Sequence, residues 1–92
     1  MNPRHALLEA SDRVMDRLND DFMWMDIEKR IEVDGSGGCV TITTSGSRKL
    51  DKITDMLTRA LSDVGISSYE LTIGPDTDMP GGYVQRKVCL AQ

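Results

Sequence analysis

The stretch "VDGSGGCVTI", residues 33–42, carries three glycines within four positions and decides how the first half of the chain folds. A phosphate-binding glycine loop follows a strand and opens a helix, whose N-terminal amides hold the anion. Here residues 39–43 come next, and their β-branched, alternating pattern predicts a second strand instead. The G-x-G-x-x-G pattern also fails, because Val40 occupies the position of its last glycine. Asp34-Gly35 is typical of a β-hairpin, so we predict that this loop turns the chain.

Two amphipathic helices are predicted around this hairpin. Asn2 followed by Pro3 is typical of an N-cap and a first helical residue, and Ser47 is a plausible N-cap for the second helix. Gly65 stands where a left-handed residue ends a helix. Apolar or small residues at three- and four-residue steps define the two core faces. They are Leu7, Ser11, Val14, Met15, Leu18 and Phe22 in the first helix, and Leu50, Ile53, Leu57, Ala60, Leu61 and Val64 in the second.

Four strands are predicted from alternation with a period of two. In the first, Met25, Ile27, Ile31 and Val33 are expected to face the core, and Trp24, Asp26, Glu28, Arg30 and Glu32 the opposite side. The other three are marked by residues 39–43, by Tyr69, Leu71 and Ile73, and by Val84, Val88 and Leu90. The predicted fold is α+β in the order αββαββ, with a four-stranded antiparallel sheet and two helices packed on one face.

The chain is short enough for a single domain over residues 1–92. The same order of elements occurs twice, so residues 1–46 and 47–92 form a candidate degenerate αββ repeat. The alternative is that any two amphipathic helices match in some register.

The sequence indicates a cytoplasmic protein without a membrane segment, because its N-terminus lacks the apolar core of a signal peptide and no apolar run reaches membrane-spanning length. If the gene is carried by a phage, this means the host cytoplasm. Cys39 and Cys89 are predicted to be free thiols, which could pair only if their strands are neighbours.

No spacing of residues identifies catalytic chemistry, so we predict a protein that is not an enzyme. His5 is the only histidine, and neither a nucleophile nor an orienting partner can be assigned to it. With Cys39 and Cys89 it gives too few and too scattered ligands for a zinc site. We therefore expect no metal and no cofactor.

The negative charge is concentrated in one fifth of the chain. Residues 16–34 hold seven acids and three bases, and this excess equals the net charge of -4 of the whole protein. Such a balance makes direct binding to nucleic acid unlikely and favours a basic partner. We expect Trp24 to serve as an aromatic anchor among these carboxylates. The predicted partner-binding residues are Asp16, Asp20, Asp21, Trp24, Asp26, Glu28, Glu32 and Asp34.

Three alternatives stay open at the level of sequence. In the first, the acids form a solvated surface that protects an edge strand from aggregation. A small nucleic-acid-binding domain would use the cations near the start of the second helix and in the last strand, namely Arg48, Lys49, Lys52, Arg86 and Lys87. A homo-oligomeric structural subunit would use an exposed face with Trp24, Tyr83, Thr41 and Thr43.

In size, acidity and lack of catalytic residues, with "DDFMWMDIEKRIEVD" (residues 20–34) as the segment suited to the role, the chain resembles small phage-encoded anti-CRISPR proteins, in particular inhibitors of type I complexes. The resemblance is one of general character and carries over no residue by position. It implies an inhibitor that covers the basic surfaces where a type I CRISPR surveillance complex receives target DNA. The expected partner is therefore a basic surface of a protein or ribonucleoprotein complex.

Overall fold

The computed structural model describes residues 2–35 and 38–91 and has an α+β architecture. Two helices, α1 (Pro3–Asp20) and α2 (Ser47–Asp63), accompany five strands and a short 3-10 helix (Ser68–Glu70). The strands are β1 (Lys29–Val33), β2 (Cys39–Thr44), β3 (Leu71–Ile73), β4 (Thr77–Met79) and β5 (Tyr83–Leu90). Within the described residues, neither helix is both long and apolar enough to cross a membrane.

The sheet is antiparallel and runs in the order β1-β2-β5-β3, with β4 also paired to β5. The two central strands are β2 and β5. Each is the last strand of one predicted αββ half, residues 1–46 and 47–92. The prediction of four strands was wrong by one, because part of the loop before β5 forms β4. Ile73 lies opposite Val88 and Thr77 lies opposite Gln85, so three residues on one side face two on the other. This is a β-bulge, and it contains Pro75, which has no amide hydrogen to give to the sheet.

Both helices pack on one face of this sheet. Val40 and Ile42 of β2 and Val88 of β5 are fully buried there. The helices bury residues spaced three and four apart against them, as expected for amphipathic helices. These buried positions are Ala6, Leu7, Ala10, Ser11, Val14 and Leu18 in α1, and Leu50, Ile53, Thr54, Leu57 and Leu61 in α2.

The hairpin predicted from the glycines is confirmed by its strands. β1 and β2 pair from Lys29 opposite Thr44 to Val33 opposite Val40. The amide of Gly38 donates to the Asp34 carboxylate over 3.2 Å, which fixes the end of the turn. Ser36 and Gly37 lie outside the described residues. The loop therefore connects two strands, as the sequence predicts.

The helix ends agree with the sequence except at the start of α2. The Asn2 side chain accepts a hydrogen bond from the Arg4 amide over 2.9 Å, so the predicted N-cap is confirmed. Gly65 has a φ of 96°, the left-handed conformation predicted for it. Ser47, however, is the first residue of α2 and not its cap. The cap position belongs to Gly46, whose φ of 93° favours glycine.

The prediction of two free thiols was wrong for this structure. Cys39 and Cys89 lie opposite each other on β2 and β5, with Cα atoms 4.0 Å apart, and form a disulfide. Their strands are the two central ones, which local sequence could not establish. Disulfides are rare in the cytoplasm, so the cytoplasmic location stays a prediction and the bond calls for a redox test.

Candidate partner-binding surface

A compact turn follows α1 and exposes a group of apolar and acidic side chains; we call residues 20–26 the acidic turn. Asp21 caps α1 and organises this turn. Its carbonyl oxygen accepts hydrogen bonds from the amides of Trp24 and Met25, each 2.9 Å long. Its carboxylate accepts a third from the amide of Met23 over 2.8 Å. An aspartate at the C-terminal end of a helix is electrostatically unfavourable, and these local bonds give Asp21 a structural reason to be there.

Two side chains of the sheet fasten the end of this segment. Lys29 interrupts the apolar face of β1, and its ammonium group donates to the carbonyls of Trp24 over 2.9 Å and Ile27 over 3.2 Å. The hydroxyl of Thr44 donates to the carbonyl of Glu28 over 2.9 Å. The chain from the acidic turn to β1 is therefore held by several hydrogen bonds, which reduces the entropy lost when it binds a partner.

Within the acidic turn, the aromatic residue that faces solvent is Phe22, not Trp24. Phe22 is 87% exposed and Met23 is 74% exposed. Trp24 is half-buried and packs against the core. The prediction was wrong because it continued the period of β1 back to Met25, whereas the strand begins at Lys29. Met25, predicted to face the core, is 49% exposed for the same reason.

Phe22 also fails as the last core residue of the first helix. The helix ends at Asp20, two residues earlier, and the chain then turns away from the core. The acids at residues 20 and 21 were a signal for this end, because a helix disfavours anions there.

The structure divides the predicted acidic residues into two groups. Asp20, Asp21 and Asp26 are exposed within the acidic turn, next to its three exposed apolar side chains. Asp16 is exposed one turn earlier on α1. This group combines apolar area with negative charge, which is the chemistry of a contact with a basic and partly apolar protein surface.

The other group lies along β1 and its hairpin. The Glu28 carboxylate accepts a hydrogen bond from the hydroxyl of Tyr83. Glu32 forms an exposed ion pair with Arg30 at 3.2 Å. Asp34 is half-buried at the hairpin. These acids have local partners, so the acidic turn is the part of the predicted surface best suited to an external partner.

A shallow groove of about 260 Å³ lies beside the contact between Glu28 and Tyr83. Lys29, Arg30 and Thr43 complete its lining. Sequence reasoning missed this contact, because the two residues are 55 positions apart and only the pairing of β1, β2 and β5 brings them together. The groove adds polar groups to the uncovered face of the sheet.

The basic residues of the alternative nucleic-acid site do not form one surface. Arg86 points to the helix side of the sheet, where it binds Asp76 and Asp51. Lys87, the next residue of β5, is exposed and lies on the opposite face. Lys49 donates to the Ser45 hydroxyl over 3.1 Å. Arg48 and Lys52 are exposed on α2.

The ion pair between Arg86 and Asp76 has a structural role. The hydrogen bond from the Arg86 guanidinium holds the pKa of Asp76 below its ordinary value, while partial desolvation opposes this shift. The same hydrogen bond raises the pKa of Arg86. Across residues 2–35 and 38–91, no group of three or more His, Cys, Asp and Glu side chains is arranged to hold a metal ion.

Comparison with known proteins identifies no relative. No protein-family model matches the chain, and the search of curated proteins finds no match.

Proposed function

We propose that this protein is a non-enzymatic inhibitor that binds a basic, nucleic-acid-handling surface of a larger complex through its acidic turn. The observation that carries the proposal is the exposure of Phe22 and Met23 among Asp20, Asp21 and Asp26. A small domain has limited apolar material for its core, so two large apolar side chains left in solvent need an explanation. Burial against a partner supplies it.

The two kinds of side chain in the turn have different tasks. Fully burying an apolar side chain the size of Phe22 contributes about 1.5–3 kcal/mol. The three carboxylates steer the protein toward basic surfaces and select among them. Since hydrogen bonds already fix the turn, little of this energy is lost in ordering it.

The first partner to test is a type I CRISPR surveillance complex, because of the resemblance to anti-CRISPR proteins. Bound there, the protein would cover cations that receive the target DNA, and the DNA would be excluded. This mechanism needs no bond-breaking chemistry and no cofactor. It requires that the inhibitor and target DNA compete for one surface.

A variant in which three aspartates are replaced by asparagine tests the role of the carboxylates. Asp20→Asn, Asp21→Asn and Asp26→Asn are combined, and Asn at position 21 keeps the oxygen that accepts from Met23. The control combines Asp12→Asn, Asp55→Asn and Asp78→Asn, three exposed sites elsewhere with the same change in charge. We expect the first set to weaken binding to the complex about tenfold or more and the control set to have little effect.

A second set tests the apolar contact. Phe22→Ala with Met23→Ala should weaken binding and restore DNA binding by the complex, measured by gel shift with labelled target DNA. The matched control is Tyr69→Ala with Ile73→Ala, another exposed aromatic and aliphatic pair. If the wild-type protein leaves DNA binding unchanged in complexes of every type I subtype, the anti-CRISPR assignment is wrong.

A further inference from the structure

A groove lies between the two helices on the side away from the sheet. It has a volume of about 310 Å³ and an apolar floor of Val14, Met56 and Ala60. Its rim carries five charged residues from α1, the acidic turn and α2, namely Arg13, Arg17, Asp21, Arg59 and Asp63. The groove therefore combines apolar area with three guanidinium groups and two carboxylates.

These arginines are available to a further carboxylate. Arg13 pairs with Glu9 at 2.9 Å and Arg59 pairs with Asp55 at 3.2 Å. Both pairs are exposed contacts within one helix, which contribute little to stability and are easily exchanged. Arg17 has no ion-pair partner among the residues that the structure describes. A negatively charged ligand would thus meet one arginine without a partner and two with weak ones.

The groove is continuous with the acidic turn, because Asp21 belongs to both. One side of the molecule therefore presents a partly apolar groove, whose three arginines exceed its two aspartates by one charge, beside an acidic, apolar projection. A two-fold symmetric interface brings the same patch of both copies together, so the patch must be self-complementary. Here the acidic turn of one copy would face the groove of the other.

We propose that the protein forms a dimer in which the acidic turn of each copy occupies the helix groove of the other. Phe22 of one copy enters the groove over Met56 and Ala60. Asp20 and Asp26 contact the arginines of the rim, with Arg17 as the first partner. Two identical contacts form at once, so each charge change acts twice on the dimer.

The dimer has a consequence for binding to other partners. Since the same turn is covered, self-association and binding to an external basic surface exclude each other. The inference does not rest on the proposed function, and each can fail without the other.

Charge reversal at both surfaces tests this arrangement. The groove variant carries Arg17→Glu and Arg59→Glu, and the turn variant carries Asp20→Lys and Asp26→Lys. Sedimentation velocity over a range of concentrations at low salt measures the dimer Kd. We expect each variant alone to raise this Kd about tenfold or more, and high salt to weaken the wild-type dimer. The turn variant is the more stringent test of the two. It lowers the net negative charge of each copy and so reduces the repulsion between copies, yet its dimer is still expected to dissociate.

Mixing the two variants is the decisive measurement. In a mixed dimer, the unchanged acidic turn of the groove variant faces the unchanged arginines of the turn variant. At the second contact, the lysines of the turn variant face the glutamates of the groove variant. We expect a mixed dimer with a Kd near that of the wild type, which also demonstrates that both variants are folded. A control with Arg48→Glu and Lys52→Glu, exposed bases on α2 outside the groove, should leave the dimer intact.

Three results would overturn the inference. These are a wild-type protein that stays monomeric up to millimolar concentration, a mixture of the two variants that stays monomeric, and a control variant that dissociates as much as the groove variant. Binding to the surveillance complex is measured separately, so a monomeric protein would leave the proposed function standing.

Discussion

Arg86 and Asp76 form a two-pronged ion pair that joins the central strand of the sheet to the β-bulge. The Nε and Nη2 atoms of Arg86 donate to the two carboxylate oxygens of Asp76 over 2.7 and 3.0 Å. The Arg86 side chain is only 12% exposed, and it also contacts Asp51 at 2.8 Å and Thr54 at 3.1 Å. A cation taken from water in this way needs several acceptors, and here they come from the bulge and from α2.

Loss of the Asp76 carboxylate should destabilise the fold. Asp76→Asn removes the charge opposite a largely buried guanidinium, and we expect the free energy of unfolding to fall by about 2 kcal/mol. Urea denaturation measures this change. Asp78→Asn, an exposed position on β4 of the same edge, serves as the control and should change the free energy by less than about 0.5 kcal/mol.

The same pair predicts how stability depends on pH. Since the pKa of Asp76 is lower in the folded state than its ordinary value of 3.8, the folded protein binds this proton less tightly than the unfolded chain. The stabilisation is therefore complete above the unfolded-state pKa and is lost as the pH falls through the lowered folded-state pKa. The difference between the wild type and Asp76→Asn should be largest near neutral pH and shrink in acid. A difference that grows on acidification would contradict this assignment.

Two buried hydroxyls should respond to removal in opposite ways. The Ser11 hydroxyl of α1 is buried with no hydrogen-bond partner among the described residues, and alanine is the better helix former. We expect Ser11→Ala to stabilise the protein by about 1 kcal/mol. Thr54 donates to the Leu50 carbonyl over 2.6 Å and accepts from Arg86. Thr54→Val should therefore cost about 1–2 kcal/mol. Thermal unfolding of both variants provides the comparison.

Replacing the two aromatic residues that follow α1, Phe22 and Trp24, should have different effects on the free energy of unfolding. Trp24 packs against the core, so Trp24→Ala should lower the free energy of unfolding by about 2 kcal/mol. Phe22 is in solvent, and Phe22→Ala should change it by less than about 0.5 kcal/mol. Equal losses would mean that Phe22 is part of the core. A binding defect is informative for Phe22→Ala alone, because its fold is expected to be intact.

The disulfide should contribute strongly to stability under oxidising conditions. It joins residues with a sequence separation of 50, for which loop closure in the unfolded chain predicts about 4 kcal/mol. Replacing Cys39 and Cys89 together with serine should remove this stabilisation in oxidising buffer. In reducing buffer the wild type and the double variant should unfold at similar denaturant concentrations. A wild-type stability that does not respond to reductant would show that the thiols are free in solution.

The sequence predicted the helices, the first hairpin and the two-layer architecture because these depend on local periodicity and on turn residues. The Asn2 cap and the left-handed Gly65 are examples. Strand β4 was missed because residues 77–79 have little strand character of their own. They become a strand only because β5 offers a free edge on that side. The pairing of Cys39 with Cys89 likewise depends on strand order.

The concentration of acidic residues in the sequence predicts where the candidate surface lies, but not which side chains of that stretch are exposed. Residues 16–34 do contain the turn that stands out in the structure, with its exposed apolar residues. The prediction that Trp24 lies opposite the core was wrong because the hydrogen bonds of Asp21 and Lys29 set the turn geometry, and neither follows from an alternating pattern. Strand alternation predicts that Arg86 and Lys87 lie on opposite faces of the sheet. The acids that bind Arg86 come from distant positions of the chain, so local sequence could not identify them.

The bond between Cys39 and Cys89 also divides the chain topologically. Residues 39–89 form a closed covalent ring that contains α2, whereas α1 and the acidic turn hang from it by a single connection. One cut by a protease inside the ring leaves every atom of the molecule joined. One cut after Lys29 or Arg30 leaves α1 and the acidic turn attached only through noncovalent packing, which includes the buried core residues of α1. In denaturant without reductant, a cut inside the ring therefore keeps the chain in one covalent piece, whereas a cut after Lys29 or Arg30 divides it into two.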